Sequence, residues 1–213
     1  MIKDQFFKLT LVTNKSNKFL DNYLEFVSIC AESGITLVQL REKNLSYEDL
    51  LEFGGQLKSL LGKFLIPLIV NDYTELAYQL DVDGVHLGQS DENVIEARRK
   101  LGTDKIIGLT VDSIEQLCVA NTLPINYVGI GAIFSTNNKI NVPGIWGANG
   151  LEKIAQLSKH PIIAIGGISE TNAHAVMKAG ANGIAAIEAF HEARDPSATT
   201  KNLRNIVYGI NHA

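Results

Sequence analysis

The chain has 213 residues, 46% of them apolar, enough to bury a full core without disulfide or metal staples, and it predicts a single domain over 1–213. Its 19 Lys and Arg against 23 Asp and Glu give a net charge of −4 with no basic run, which argues against a nucleic-acid partner. No stretch approaches the roughly 20 apolar residues of a membrane span, and the opening residues lack the pattern of a signal peptide, so the expected setting is the cytoplasm.

Taken in order, eight short apolar runs suit buried strands: Leu9–Thr13, Leu37–Arg41, Leu68–Asn71, Val85–Gly88, Ile106–Thr110, Tyr127–Phe134, Ile162–Gly166 and Ile184–Ala189. Helix-like stretches follow them. Residues 49–61, 92–101 and 170–179 show apolar side chains at helical spacing, with Ser46 and Ser169 as expected N-caps and Gly62, Gly102 and Gly180 as expected stops. Cys30 and Cys118 fall inside apolar helical segments without a Cys-x-x-Cys spacing, which predicts buried, reduced thiols. Eight β-then-α units with nearly continuous apolar strands predict parallel strands covered by helices, closed into a (β/α)8 TIM barrel, with a doubly wound sheet as the alternative. The segment Ser135–Ala148, with Pro143 and the only tryptophan, Trp146, reads as a lid or a disordered excursion.

Such barrels carry their chemistry where the strands end. Gln39, Arg41 and Lys43 alternate at the end of the second run, so an extended chain projects them to one side, and two converging cations expect an anion. Asn71 and Asp72 end the third run, and Asp91 lies just past the fourth. Carboxylates beside a cationic patch suit Mg2+ shared with a diphosphate. Farther on come Thr136, Asn138 and Lys139 after the sixth run and the Gly166-Gly167 pair after the seventh, where backbone N–H groups can cradle a phosphate. Any one of these residues alone reads as a solvated loop residue. Together they describe two anion sites on one face, as in an enzyme joining two phosphorylated small molecules.

These stretches resemble the thiamine phosphate synthase family. Gln39-Leu-Arg-Glu-Lys43, Val70-Asn-Asp72, Gly84-Val-His-Leu-Gly-Gln-Ser-Asp91, Tyr127-Val-Gly-Ile-Gly and Ile163-Ala-Ile-Gly-Gly-Ile168 match its motifs in order and spacing. The resemblance implies a transferase of thiamine biosynthesis that joins hydroxymethylpyrimidine diphosphate to a (carboxy)thiazole phosphate by a dissociative, Mg2+-assisted route. It implies that Gln39, Arg41, Lys43 and Asn71 bind the pyrimidine diphosphate and that Asp72 and Asp91 hold Mg2+. Thr110 takes the place of a serine near the reacting centre, Lys139 meets diphosphate, Thr136 and Asn138 lie beside the thiazole phosphate, and Gly166 and Gly167 bind it through backbone amides. The catalytic set is then Arg41, Lys43, Thr110 and Lys139, and His86 reads as a packing residue.

The chain departs from the family pattern on the thiazole side: Ala132, Ser135 and Asn138 replace two prolines and a threonine, and Glu188 stands for a phosphate-binding serine. Two alternatives stay open, a degenerate copy that binds a thiamine precursor and an isomerase like thiazole tautomerase. The tautomerase uses a histidine after the fifth strand, where this chain has Asp112, and lacks the Asn-Asp pair. The resemblance leaves open whether copies assemble into a homo-oligomer, and it implies no nucleic-acid or membrane partner.

Overall fold

In the computed structural model, which describes residues 4–16, 19–136 and 144–209, all eight apolar runs contain strands. A 3-10 turn (Asp4–Phe7) precedes β1 (Leu9–Val12), α1 (Leu20–Ser33), β2 (Leu37–Leu40), α2 (Tyr47–Gly62), β3 (Leu68–Asn71), α3 (Thr74–Leu80), β4 (Gly84–Leu87) and α4 (Val94–Leu101). Then come β5 (Ile106–Val111), α5 (Ile114–Ala120), β6 (Tyr127–Ile130), α6 (Gly147–Leu157), β7 (Ile162–Ile165), α7 (Ala173–Lys178), β8 (Gly183–Ala186), α8 (Glu188–His191) and α9 (Pro196–Tyr208). Each strand pairs in parallel with the next, and β8 pairs with β1, so the sheet closes into a (β/α)8 barrel.

The strands are apolar throughout because both faces are covered. Leu11, Val38, Val70, Leu87, Ile107 and Val128 face the helices and join the main core. Their neighbours Val12, Leu37, Ile69, Ile106, Tyr127 and Ile163 face inward and form a second cluster inside the barrel, closed below by Phe7. The period of two explains this division, and it also sends Gln39, Asn71, His86 and Thr110 inward one pleat above the cluster.

Local chemistry sets the helix starts. Ser46 caps α2, its hydroxyl accepting the Asp49 N–H at 3.1 Å and donating to the Asp49 carboxylate at 2.7 Å. Helix α2 then buries Leu50, Phe53, Leu57 and Leu61 against the barrel and runs through Gly62 itself. Helix α4 starts at Val94 rather than residue 92, because the Asn93 side chain accepts the Ile95 N–H.

Several expected boundaries shift for physical reasons. Ser169 does not cap α7: Asn172 accepts the Ser169 N–H and donates to Gly167 O, both at 2.9 Å, so residues 169–172 fold into a polar turn before the helix. Strand β6 ends at Ile130 instead of Phe134, after which the chain crosses β7 closely enough that a Cβ on Gly131 would lie 2.8 Å from Ile165 Cγ2. Strand β8 stops at Ala186, and the chain turns into α8 to bury Phe190, so Glu188 is a helical residue. Cys30 is buried as expected, whereas Cys118 is exposed because α5 turns Leu117 and Ala120 inward. No helix among the described residues is long and apolar enough to cross a membrane.

Candidate active site

The strand ends open into a cavity of about 570 Å3. It brings together Gln39, Arg41, Lys43, Asn71, Asp72, Asp91, Thr110, Thr136, Gly166 and Gly167 from strands far apart in sequence. Asn138 and Lys139 lie outside the described residues, as do residues 137–143 of the segment Ser135–Ala148. Ala148 and its neighbours form the first turn of α6.

One side of the cavity is charged. Asp72 adopts φ 69°, a left-handed conformation that Asp tolerates better than most residues, and its N–H donates to His86 O at 2.8 Å. The turn aims its carboxylate at Asp91, within hydrogen-bonding reach. Asp91 is held in turn by the Gly88 N–H, 2.6 Å from its Oδ2. Burial and the neighbouring Asp91 carboxylate push the Asp72 carboxyl up to about 7, against the opposing pull of Arg41 and Asn71. Burial lowers the Arg41 guanidinium, and Asp72 and Glu42 raise it again. Two carboxylates and an arginine thus share one partly dry corner. Among the described residues no cluster of three or more His, Cys, Asp or Glu forms a metal cage of protein groups alone.

Beneath this corner runs a hydrogen-bonded row that sequence reasoning missed. His86 Nδ1 meets Tyr127 OH at 2.7 Å and its Nε2 meets Thr110 Oγ1 at 2.8 Å, with the His86 and Tyr127 rings stacked at 5.4 Å. The buried Tyr127 hydroxyl also bonds the Gln39 side chain, and burial raises its pKa far out of the physiological range. Glycines make the room. A Cβ on Gly129 would lie 2.8 Å from His86 Cε1, and one on Gly108 would overlap the Tyr127 ring. The signal was present in the alternation of Gly84-Val-His86 and Gly108-Leu-Thr110, which places His86 and Thr110 on the face that carries Gln39.

On the opposite side, Gly166 and Gly167 have φ 103° and 62°, a left-handed turn that favours glycine. Substituents there would also strike Ala132 Cα at 2.8 Å and Ser135 O at 2.5 Å, so the chain after β6 packs directly on this turn. Glu188, at the head of α8, is among the residues that line the same cavity. Asp112 lines the cavity too, its N–H donating to Gln116 Oε1 at 2.7 Å.

Comparison with known proteins matches residues 9–190 to the family model described as thiamine monophosphate synthase. The chain belongs to the thiamine monophosphate synthase family. It is 55% identical over 206 residues to the thiamine-phosphate synthase of Chlamydia abortus, covering 97% of both chains. It is 38% identical over 201 residues to that of Vibrio campbellii, covering 94% of this chain and 98% of the relative. The solved structure of the thiamine phosphate pyrophosphorylase from Pyrococcus furiosus superposes with a TM-score of 0.87 at 33% identity, covering 98% of this chain and 99% of that one. A 3-hexulose-6-phosphate synthase from Salmonella typhimurium, at 12% identity and a TM-score of 0.73, shares the barrel alone.

Proposed function

We propose that this chain is a transferase of thiamine biosynthesis that joins hydroxymethylpyrimidine diphosphate to a (carboxy)thiazole phosphate, giving thiamine phosphate and diphosphate. The observation that carries this reading is the pairing of Asp72 and Asp91 beside Arg41 and Lys43 at one end of a cavity whose other end is the Gly166-Gly167 turn. In this reading Gln39 and Asn71 orient the pyrimidine diphosphate, and Arg41 and Lys43 take up charge on its phosphates. Thr110, His86 and Tyr127 form a row of hydrogen-bonding groups along which the aminopyrimidine would lie. Thr136, Asn138, Lys139, Gly166 and Gly167 would receive the thiazole phosphate and the departing diphosphate.

The donor set fits Mg2+. The neighbouring Asp91 carboxylate raises the proton affinity of Asp72, and a hard cation held by Asp72 and Asp91 would relieve that repulsion beside the proposed diphosphate site. When bound, Mg2+ would supply charge neutralisation on the leaving diphosphate. The chain's own residues do the rest. Arg41 and Lys43 hold the diphosphate as its C–O bond breaks, electron release from the aminopyrimidine supports the methylene cation, and the thiazole nitrogen, held over it from the glycine turn, captures it. The work is positioning and charge stabilisation, with no protein nucleophile. Its small-molecule substrates and lack of a membrane-spanning helix among the described residues accord with a cytoplasmic setting.

The test is thiamine phosphate formation from both substrates with Mg2+ and with a chelator, followed by mass spectrometry. Metal-dependent product supports the transferase. Conversion of one thiazole isomer into another without the diphosphate would instead support the tautomerase, and tight binding of the pyrimidine diphosphate without turnover a degenerate copy.

A further inference from the structure

The segment that supplies Arg41 and Lys43 carries a third charge, Glu42, that does not line the cavity, as expected of the residue between two that do. Its carboxylate turns to the loop between β1 and α1. Glu42 Oε1 accepts the Lys15 backbone N–H at 2.8 Å, and the carboxylate also accepts the Thr13 hydroxyl. That hydroxyl oxygen, fully buried, accepts the Arg41 backbone N–H at 2.9 Å, while the Thr13 N–H donates to Gln39 O at 2.9 Å. Glu42 therefore grips the loop that grips Arg41.

The loop is also tied from the other side. The Asn14 N–H donates to Tyr23 OH at 3.0 Å, Tyr23 OH meets His191 Nε2 at 2.7 Å, and His191 Nδ1 donates to Ile187 O at 2.8 Å. Residues 13 and 15 are thus bonded to Glu42 and residue 14 between them to Tyr23, and the loop has a fixed surface against which Glu42 can brace. A surface clamp between two flexible loops would lack that backing.

We propose that Glu42 is a positioning residue for the diphosphate end of the cavity, fixing through Thr13 and Lys15 the backbone from which Arg41 projects. This rests on the reading that Arg41 receives the pyrimidine diphosphate. Glu42 touches no substrate. Its contribution is to the placement of a guanidinium whose bonds to a phosphate depend on angle as well as distance.

The test varies each substrate separately for the wild type, Glu42→Ala and Glu42→Gln. Glu42→Ala raises KM for the pyrimidine diphosphate about tenfold, the size of one weakened charge-assisted hydrogen bond, and leaves KM for the thiazole phosphate unchanged. Glu42→Gln keeps an oxygen for the Lys15 N–H and restores most of the loss. A Glu42→Ala protein with a lowered Tm and a wild-type KM, an equal rise in both KM values, or a glutamine variant no better than alanine overturns the proposal. Should Glu42→Ala fail to fold, Thr13→Val removes the linking hydroxyl at nearly constant volume and carries the same selective rise. Calorimetric binding of the pyrimidine diphosphate reads the Glu42 effect independently of turnover, so an inactive wild type that binds normally counts against the proposed reaction and not against Glu42.

Discussion

Replacing Gly129 with alanine puts a methyl group against the one ring that joins Tyr127 to Thr110. The added Cβ would sit 2.8 Å from His86 Cε1 and 3.3 Å from Nε2, and the ring has no free direction because it is bonded at both ends, at 2.7 and 2.8 Å. It must give up good geometry in at least one of these bonds, at about 1 kcal/mol for a neutral hydrogen bond and about 1–3 kcal/mol if a buried partner is left unpaired. Against this stands a gain of about 0.4–1 kcal/mol from reduced freedom of the unfolded chain. The net is a loss of about 1–2 kcal/mol, or a fall in Tm of about 2–8 °C for a chain of this size. Gly55→Ala is the matched control: Gly55 lies inside α2 with nothing within 4 Å of its added Cβ, so the same substitution raises Tm by about 1–4 °C. Thermal melts of both variants, with pyrimidine diphosphate KM measured alongside, check the argument. A Gly129→Ala protein with an unchanged Tm and KM would refute the claim that this glycine exists to seat His86.

Glu188→Ser removes a carboxylate from the cavity that holds the glycine turn, and thiazole phosphate binding tightens roughly fivefold by relief of charge repulsion; calorimetry with an unchanged affinity would place that carboxylate clear of the ligand. Asp72→Ala and Asp91→Ala each abolish Mg2+-dependent turnover, and full activity in either variant contradicts its role as a metal ligand. Because the Asp72 carboxyl is raised from 3.8 to about 7 in the metal-free chain, the folded state binds the extra proton between those values, so metal-free stability falls as pH rises from about 4 to about 7. Mg2+ must displace that proton, so its apparent affinity at pH 6 is about tenfold weaker than at pH 8, and titrations that give equal affinities would contradict the shift. Thr74→Val replaces a buried hydroxyl that has no hydrogen-bond partner among the described residues, and melts show a rise of about 2–4 °C.

The barrel was legible because each strand is covered on both sides and so reads as an apolar run; Gln39, Arg41 and Lys43 all line the cavity, although β2 ends at Leu40 and Lys43 sits in the turn beyond it. His86 was misread because a histidine between apolar neighbours has the same pattern whether it packs or bonds; only the closed ring of strands brings Tyr127 beside it. Ends of elements were the other weak point. Ser169 and Glu188 lie where side-chain hydrogen bonds and the burial of Phe190 decide the backbone, and neither is a periodic signal. Glu42 escaped notice because its partners, the Lys15 N–H and the Thr13 hydroxyl, are supplied by another strand's loop.

The 3-10 turn Asp4–Phe7 runs so close beneath β8 that a Cβ on Gly183 would overlap Phe7 O, and the Phe7 ring packs on Tyr127 at 5.1 Å. Tyr127 steadies His86, so the floor of the cavity joins the turn Asp4–Phe7 to the last strand. During synthesis this ties activity to completion. A nascent chain can display Arg41, Asp72 and Asp91 long before β8 leaves the ribosome, yet it has no sealed floor on which to seat a pyrimidine. Closure of β8 onto β1 is a long-range step and a slow one to reach. A chain without β8 therefore has an open ring and lacks the floor that Phe7, Tyr127 and Gly183 build together.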